Sequence, residues 1–267
     1  MKVITKKVWI RCTATALALA AALWGSLAWQ RQAVLTEARE SHPNLYVEPS
    51  NSVNTMAEKT VYLTYDDGPS KNTPRILDVL KKHGVKATFF VIGKEDEESL
   101  ALYRRIVEEG HTIAVHTYSH KYHEIYRSVD AYLEDFEKVE NLIYNTTGVH
   151  PKIFRFPGGS VNSLVPSKQV HKDIIREITR RGYVFYDWNV VSGDDTATVY
   201  PAQTLADNVL KAAGRVKSPV VLFHDAPLCR TTPDATDIVI QRLLEQGYAF
   251  AALSEDTQPI QFTSTGN

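Results

Sequence analysis

Short apolar runs alternate with longer amphipathic stretches from Thr60 to about Glu255. Seven runs have the length and residue types of buried strands: Val61–Tyr65, Ala87–Ile92, Thr112–Val115, Ile153–Phe156, Tyr183–Trp188, Val220–Phe223 and Tyr248–Leu253. Six stretches have helical periodicity and are each followed by glycine, the usual residue after a helix end: Thr73–His83, Glu95–Glu109, Val129–Thr147, Lys168–Arg181, Leu205–Ala213 and Thr236–Gln246. This alternation predicts an α/β fold with a mainly parallel sheet, either a barrel or an open doubly wound sheet.

The first 30 residues have the pattern of a targeting segment. Basic residues are frequent in residues 1–11, and residues 12–30 carry no charge and are rich in Ala and Leu. A run of this length can remain as a signal-anchor with its basic end inside, which leaves the protein on the cell membrane facing outside. The small residues Ser26 and Ala28 also suit cleavage after Ala28, which makes the protein secreted. A buried core helix fits less well because no helical face is polar.

These patterns divide the chain into four parts. We predict a signal-anchor or signal peptide over 1–30, a linker or stalk over 31–57, one α/β domain over 58–255 and a C-terminal tail over 256–267. Residues 31–57 are polar and mixed in charge, with Pro43 and Pro49 and no sustained period, as is typical of linkers.

Charge and cysteine content exclude several classes of function. Thirty basic residues nearly cancel 31 acidic ones in the 267-residue chain, so no global basic field attracts nucleic acid. Cys12 and Cys229 are the only cysteines, too few for a disulfide framework or a cysteine-rich zinc site. Any metal ion must therefore be bound by His and carboxylate side chains. No feature indicates an obligate protein partner.

The polar clusters follow the predicted strands, where parallel α/β folds gather their chemistry. Asp66 and Asp67 follow the first strand, and adjacent carboxylates repel each other unless a cation or a proton transfer uses their charge. His116 and His120 end the third strand and share one face of a helical turn. With Asp67 they make a set of two His and one carboxylate, typical of a catalytic metal site with open positions. Alone, each pattern also fits a solvated turn or a surface histidine pair.

Two further strand ends carry groups that suit acyl transfer. Arg155 follows the fourth strand and offers a fixed guanidinium for a carboxylate, while the turn after Pro157 offers the backbone N–H of Gly158 to an oxyanion. His224 ends the sixth strand and is suited to act as a general acid. A neighbouring carboxylate would keep it protonated.

Five segments together resemble the polysaccharide deacetylases that share the NodB homology domain, carbohydrate esterase family 4, and most of all the bacterial peptidoglycan N-acetylhexosamine deacetylases. The resemblance spans about residues 58–255. The matching segments, in the family's order, are Thr64–Pro69, His116–His120, Arg155–Gly159, Trp188–Asp194 and Leu222–His224.

The resemblance implies a distorted (β/α) barrel of about seven parallel strands, preceded here by the N-terminal hydrophobic helix. It also implies a metal-dependent hydrolase of carbon–nitrogen bonds other than peptide bonds. The ligands of the divalent ion would be Asp67, His116 and His120; the ion is expected to be Zn²⁺, with Co²⁺, Ni²⁺ or Mn²⁺ as alternatives. The catalytic residues would be Asp66 as general base, His224 as general acid, Arg155 orienting Asp66, and Asp194 paired with His224. The oxyanion and substrate contacts would come from Tyr65, Pro157, Gly158, Trp188 and Leu222.

Two departures from the family pattern concern the substrate. Relatives often have aspartate at the first position and tryptophan at the last position of the segment Val191–Asp195, and this chain has Val191 and Asp195 there. Gly158 stands where an aromatic residue is common. Asp187, Asp194 and Asp195 all remain possible partners of His224.

The expected activity is removal of N-acetyl groups from N-acetylhexosamine residues of a cell-wall polysaccharide, with release of acetate. An outward-facing anchor favours peptidoglycan as the substrate. Chitin oligomers, an exopolysaccharide and acetyl-xylan are alternatives. A non-catalytic wall-binding module is disfavoured because binding needs neither the base Asp66 nor the acid His224.

Overall fold

The computed structural model describes residues 23–50 and 52–263. Residues up to Pro43 and residues from Asn44 onward form two compact units. In the first unit, residues 23–41 form helix α1. No helix within the described residues combines the length and the apolar character that crossing a membrane requires. Most of the predicted signal-anchor, residues 1–22, lies outside the described residues.

The second unit is built on a parallel sheet curled into a half-barrel, which confirms the predicted α/β fold. Its strands are β1 Thr60–Asp66, β2 Thr88–Ile92, β3 Thr112–Thr117, β4 Ile153–Phe154, β5 Val184–Phe185, β6 Val190–Val191, β7 Val220–His224 and β8 Ala249–Phe250. Seven of them follow the order β5-β4-β3-β2-β1-β7-β6, and β8 pairs with the start of β1. In the β1–β7 ladder, Asp66 is the partner of His224, so two predicted catalytic residues end adjacent strands.

Helices connect the strands, as parallel pairing requires. They are α2 Thr73–His83, α3 Glu97–Glu108, α4 Tyr122–Ile125, α5 Val129–Thr147, α6 Lys168–Arg180, α7 Ala202–Ala213 and α8 Thr232–Glu245. The six predicted helices correspond to α2, α3 and α5 to α8. The sequence pattern did not predict α4 or β6, because four and two residues are too few to show a period.

Local sequence explains where the helices begin and end. The side chains of Asp96, Ser128 and Ser167 each accept a hydrogen bond from the backbone N–H three residues later, at the starts of α3, α5 and α6. Gly84 and Gly148 end α2 and α5 with positive φ angles of 67° and 75°, which glycine adopts without strain.

Strand alternation decides which residues face the site. All seven residues of β1 are buried because both faces of the strand are covered. Inside the half-barrel, one cluster contains Tyr62, Phe90, Ala114, Ile153, Tyr186 and Val220. Since side chains of a strand alternate between faces, Thr64 and Asp66 share the inner face with Tyr62.

The segments that flank the predicted domain pack against it in part. Leu45 and Val47 are buried, and the backbone N–H of Val47 donates to Arg181 at 2.9 Å. At the other end, the backbone N–H of Phe262 donates to the Asp187 carboxylate at 2.7 Å. The compact unit therefore begins earlier and extends later than the predicted range 58–255.

Candidate active site

A cleft of about 500 Å³ opens at the carboxyl ends of the strands. It is lined by most of the residues that the sequence singled out and by several that it did not: Asp66, Asp67, His116, His120, Tyr122, Gly158, Trp188, Asp194, Asp195, Thr196, Leu222, Ala226, Leu228, His224 and Cys229. The chain thus brings the ends of β1, β3, β4, β6 and β7 to a single site.

Asp67, His116 and His120 converge as predicted. The Nε2 atoms of His120 and His116 lie 3.2 and 3.5 Å from Asp67 Oδ1, and one ligand atom from each residue lies within 4.8 Å of the others. Asp67 and His120 have φ angles of 71° and 55°, an unusual conformation for residues with a side chain. Such strain is common at functional sites, where it persists because the surrounding structure holds it.

The surroundings of this triad fit a metal ion. Asp67 Oδ1 is buried and accepts no hydrogen bond from the described residues, although a buried carboxylate oxygen costs free energy unless it is paired. His116 Nδ1 lies 2.8 Å from the carbonyl oxygen of Arg155, which leaves Nε2 to face the triad. Burial lowers the pKa of His116 and keeps this imidazole neutral. The triad is therefore consistent with one divalent metal ion.

Asp66 is held by a fully buried arginine. Arg155 Nη1 donates to Asp66 Oδ1 at 2.8 Å and to Thr64 Oγ1 at 2.7 Å. Its remaining N–H groups donate to the carbonyl oxygens of Tyr186 and Asp187. All three nitrogen atoms of the guanidinium thus donate hydrogen bonds, and the Arg155 side chain fixes the orientation of the Asp66 carboxylate beside the triad.

His224 pairs with Asp194, so among the three possible aspartates Asp194 is the partner. His224 Nδ1 lies 2.9 Å from Asp194 Oδ1, and the backbone N–H of His224 donates to Asp194 Oδ2 at 2.8 Å. Burial alone would lower the pKa of His224, but the hydrogen bond and charge of Asp194 outweigh it and raise the pKa to about 9. Asp187 instead accepts hydrogen bonds from Ser160, and Asp195 is exposed.

Gly158 lines one side of the cleft, whereas Pro157, which precedes it, is buried and is not among the described lining residues. Gly158 has a φ angle of 76°, and a Cβ atom there would lie 2.4 Å from Asn162 Nδ2. A side chain at this position would therefore be both strained and obstructed. The carbonyl oxygen of Pro157 accepts hydrogen bonds from the Tyr126 hydroxyl and from Asn162, which hold the turn in place.

The structure places two of the three remaining predicted residues in the cleft. Trp188 and Leu222 line it. Tyr65 does not: its side chain is fully buried on the helix-facing side of β1, where its hydroxyl lies 3.0 Å from Thr236 Oγ1 on α8. The expectation that Tyr65 contacts substrate was wrong, because alternation along β1 directs Tyr65 away from the side that carries Thr64 and Asp66.

Asp225, which the sequence analysis did not single out, holds the loop after β1. Its carboxylate accepts hydrogen bonds from the hydroxyls of Ser70, at 2.7 Å, and Thr73. Burial raises the pKa of Asp225 to about 7, against the lowering effect of these two hydroxyls. The sequence does contain a signal for this residue, because Asp225 directly follows His224 at the end of a strand.

Tyr122 was also missed. It belongs to the short helix α4 and lines the cleft next to His120, with ring centroids 5.5 Å apart. Burial, with the charges of Asp67 and Asp66, raises the pKa of Tyr122 to about 12, so the phenol is protonated at neutral pH. No motif marks this residue in the sequence.

Asp135, on α5, holds the backbone between the two histidines of the triad. Its carboxylate accepts hydrogen bonds from the backbone N–H groups of Tyr118 and Ser119 at 2.6 and 2.9 Å. Because this segment leads to His120, we expect Asp135→Ala to weaken binding of Zn²⁺ about tenfold, the lower end of the usual effect of outer-shell changes. Competition with a chromophoric chelator measures this affinity.

Glu134→Ala is the matched control, since Glu134 is an exposed carboxylate on the same helix. Equal Zn²⁺ affinities in the two variants would show that Asp135 has no part in placing His120.

The comparisons with known proteins agree with this site. A family profile described as polysaccharide deacetylase matches residues 53–184. The peptidoglycan-N-acetylglucosamine deacetylase of Bacillus cereus is 32% identical over 214 residues, which cover 78% of this chain and 75% of that protein. The crystal structure of the catalytic domain of peptidoglycan N-acetylglucosamine deacetylase from Eubacterium rectale is similar with a TM-score of 0.75 at 33% identity, covering 82% of this chain and 98% of that one.

A family 4 acetyl xylan esterase from Clostridium thermocellum, whose structure contains a cobalt ion, has a TM-score of 0.60 at 30% identity, covering 72% of this chain and 87% of that one. Identity of this extent over most of both chains, together with the metal triad in the cleft, assigns the family. The chain belongs to the polysaccharide deacetylases, a family of metal-dependent hydrolases that act on carbon–nitrogen bonds.

Proposed function

We propose that this protein removes N-acetyl groups from N-acetylhexosamine residues of peptidoglycan, releases acetate, and uses Zn²⁺ as its metal ion. The observation that supports this most directly is the convergence in one cleft of the Asp67, His116 and His120 triad, the Asp66–Arg155 pair and the His224–Asp194 pair. An amide is a weak electrophile with a poor leaving group, so its hydrolysis needs all three groups.

Asp67, His116 and His120 would hold the ion. When bound, the ion supplies a Lewis acid that polarises the acyl carbonyl and lowers the pKa of water towards about 7. Asp66 accepts the proton of the attacking water, and Arg155 holds its carboxylate in the orientation for that task. Asp66 and Asp67 differ in role, because only Asp66 is paired with the buried guanidinium of Arg155.

Gly158 and His224 complete the reaction. The backbone N–H of Gly158 is available to the oxyanion, and one such donor typically contributes roughly 3 to 4 kcal/mol to transition-state stabilisation. His224 donates its proton to the departing amine nitrogen as the tetrahedral intermediate collapses. Asp194 supports this role because it favours the imidazolium form.

Similarity supports the choice of peptidoglycan. The relatives from Bacillus cereus and Eubacterium rectale, at 32% and 33% identity, are both named for deacetylation of its N-acetylglucosamine residues. The basic and apolar pattern of residues 1–30 supports export, with the enzyme anchored on the outer side of the membrane or secreted after cleavage near Ala28. Both settings would bring the cleft to the cell wall.

Acetyl-xylan is the second candidate substrate, favoured by the similarity to the Clostridium thermocellum acetyl xylan esterase. The same base, acid and metal ligands serve an ester as well as an amide, so the catalytic residues do not discriminate between them.

Acetate release by the purified protein from peptidoglycan, chitin oligomers and acetyl-xylan tests the proposal. We expect the greatest rate on peptidoglycan, loss of that rate with a chelator and its recovery with Zn²⁺. A preference for acetyl-xylan would replace the proposed substrate, and activity that survives complete metal removal would refute the proposed chemistry.

A further inference from the structure

Tyr122 presents a free hydroxyl to the catalytic cleft. Its ring packs edge-on against His120 and against Tyr126, with centroid distances of 5.5 and 5.9 Å. The Tyr126 hydroxyl in turn donates to Pro157, so α4 and the Gly158 turn are joined. Within the described part of the chain, the Tyr122 hydroxyl forms no hydrogen bond. The ring is therefore fixed while its polar end has no partner.

The phenol lies beside the glycine that offers its N–H to the oxyanion. A Cβ atom on Gly158 would be 3.1 Å from the Tyr122 hydroxyl oxygen and 2.4 Å from Asn162 Nδ2. The absence of a side chain at position 158 is what leaves room for Tyr122 to reach this side of the cleft.

The distribution of charge favours an uncharged acceptor as the partner of this hydroxyl. Four carboxylates line the cleft, namely Asp66, Asp67, Asp194 and Asp195. They accept hydrogen bonds from sugar hydroxyls but donate none while ionised. Among the described lining residues Tyr122 is the only phenol, and it faces the cleft from the β3–β4 side, whereas Asp194 and Asp195 come from the β6–β7 side.

We infer that Tyr122 is a substrate-binding residue whose hydroxyl donates a hydrogen bond to an oxygen of the sugar ring that carries the acetamido group. This inference rests on the proposed function. The acyl oxygen would have the Gly158 N–H as a donor. Apart from the histidines of the triad, Tyr122 is the only described residue lining this side of the cleft whose side chain is a neutral hydrogen-bond donor. A tyrosine suits the task because its ring is apolar and its tip is polar.

Tyr122→Phe removes the hydroxyl and keeps the ring. We expect the variant to lose about fivefold to tenfold in kcat/KM on N-acetylglucosamine oligomers, mainly through a higher KM, which is the usual effect of one neutral hydrogen bond. Its rate on 4-nitrophenyl acetate, an acyl donor without a sugar, and its Zn²⁺ content should equal those of the unmodified protein. Tyr144→Phe is the control, since Tyr144 is an exposed residue of α5 outside the cleft lining.

Three results would overturn the inference. An unchanged kcat/KM on the oligomers would show that the hydroxyl makes no contact, equal losses on both substrates would place the contact at the acyl group, and loss of Zn²⁺ would show a structural role beside His120. Failure of the proposed function looks different, because the unmodified protein would then release no acetate from any acetamido sugar.

Discussion

Replacing His116 by alanine should abolish both metal binding and acetate release, whereas replacing Asp66 by asparagine should abolish activity alone. His116 supplies one of three converging ligand atoms, so its loss leaves two. Asp66 is directed to Arg155 and lies outside that set. A positioned general base contributes about 10² to 10⁴ in rate, so we expect Asp66→Asn to lose at least about 100-fold in kcat.

The measurements are the Zn²⁺ content per protein molecule and acetate release for each variant. His123→Ala is the matched control, because His123 lies three residues after His120 with 81% of its side chain exposed. It should keep both metal and activity. A His116→Ala variant that binds no metal yet remains active, or an Asp66→Asn variant that loses the metal, would refute the division of roles between base and ligands.

Replacing Asp194 by asparagine should move the alkaline limb of the pH–rate profile to lower pH. In the unmodified protein the pKa of His224 is raised to about 9 in spite of its burial, so the imidazolium persists at neutral pH. Without Asp194, only the charges of Asp66 and Asp67 oppose the effect of burial, so we expect the pKa of His224 to fall from about 9 towards its ordinary value of 6.5. At pH 7.5 roughly a tenth of the acid is then protonated, and we expect kcat to fall by about tenfold.

The kcat profile between pH 5 and 10 measures the shift, with Asp195→Asn as the control. Asp195 is the exposed neighbour of Asp194 and forms no ion pair with His224, so its variant should keep the position of the alkaline limb. If the limb stays in place in Asp194→Asn, another group sets the pKa of the acid.

The same pair couples stability to pH. The folded-state pKa of His224 lies above its unfolded value of 6.5, so the His224–Asp194 pair stabilises the fold fully below about pH 6.5. The stabilisation is lost as the pH rises through about 9. Asp194→Asn should therefore flatten the decline of stability over this range.

Much of the fold and of the site follows from the sequence because the chemistry lies directly after apolar runs. Asp66 and His224 each end a strand that the hydrophobic pattern located, and His116 is the last residue but one of another; parallel strands end at one edge of a sheet. The resemblance of five segments to one family then supplied their roles. Tyr65 was expected to contact substrate only because it belongs to the first motif. Side chains alternate between the two faces of β1, however, so the Tyr65 ring points towards α8.

The residues that were missed act through tertiary contacts that leave no local pattern. Tyr122 lies in a helix of four residues, too short to show a period, and it meets Gly158, which is 36 residues away in the chain. Asp135 resembles any other polar residue of α5 until its contact with the backbone of Tyr118 is known. Long-range hydrogen bonds of this kind are visible only once the chain is folded.

The hydrogen bonds between the chain near Phe262 and Asp187 have a practical consequence. Phe262 also packs edge-on against Trp188, with ring centroids 5.1 Å apart, so part of the cleft wall rests on residues that come after the last strand. Truncation at the boundary suggested by the motifs would remove Phe262 and disturb this part of the cleft wall. A shortened form of the protein made for expression should therefore retain Phe262.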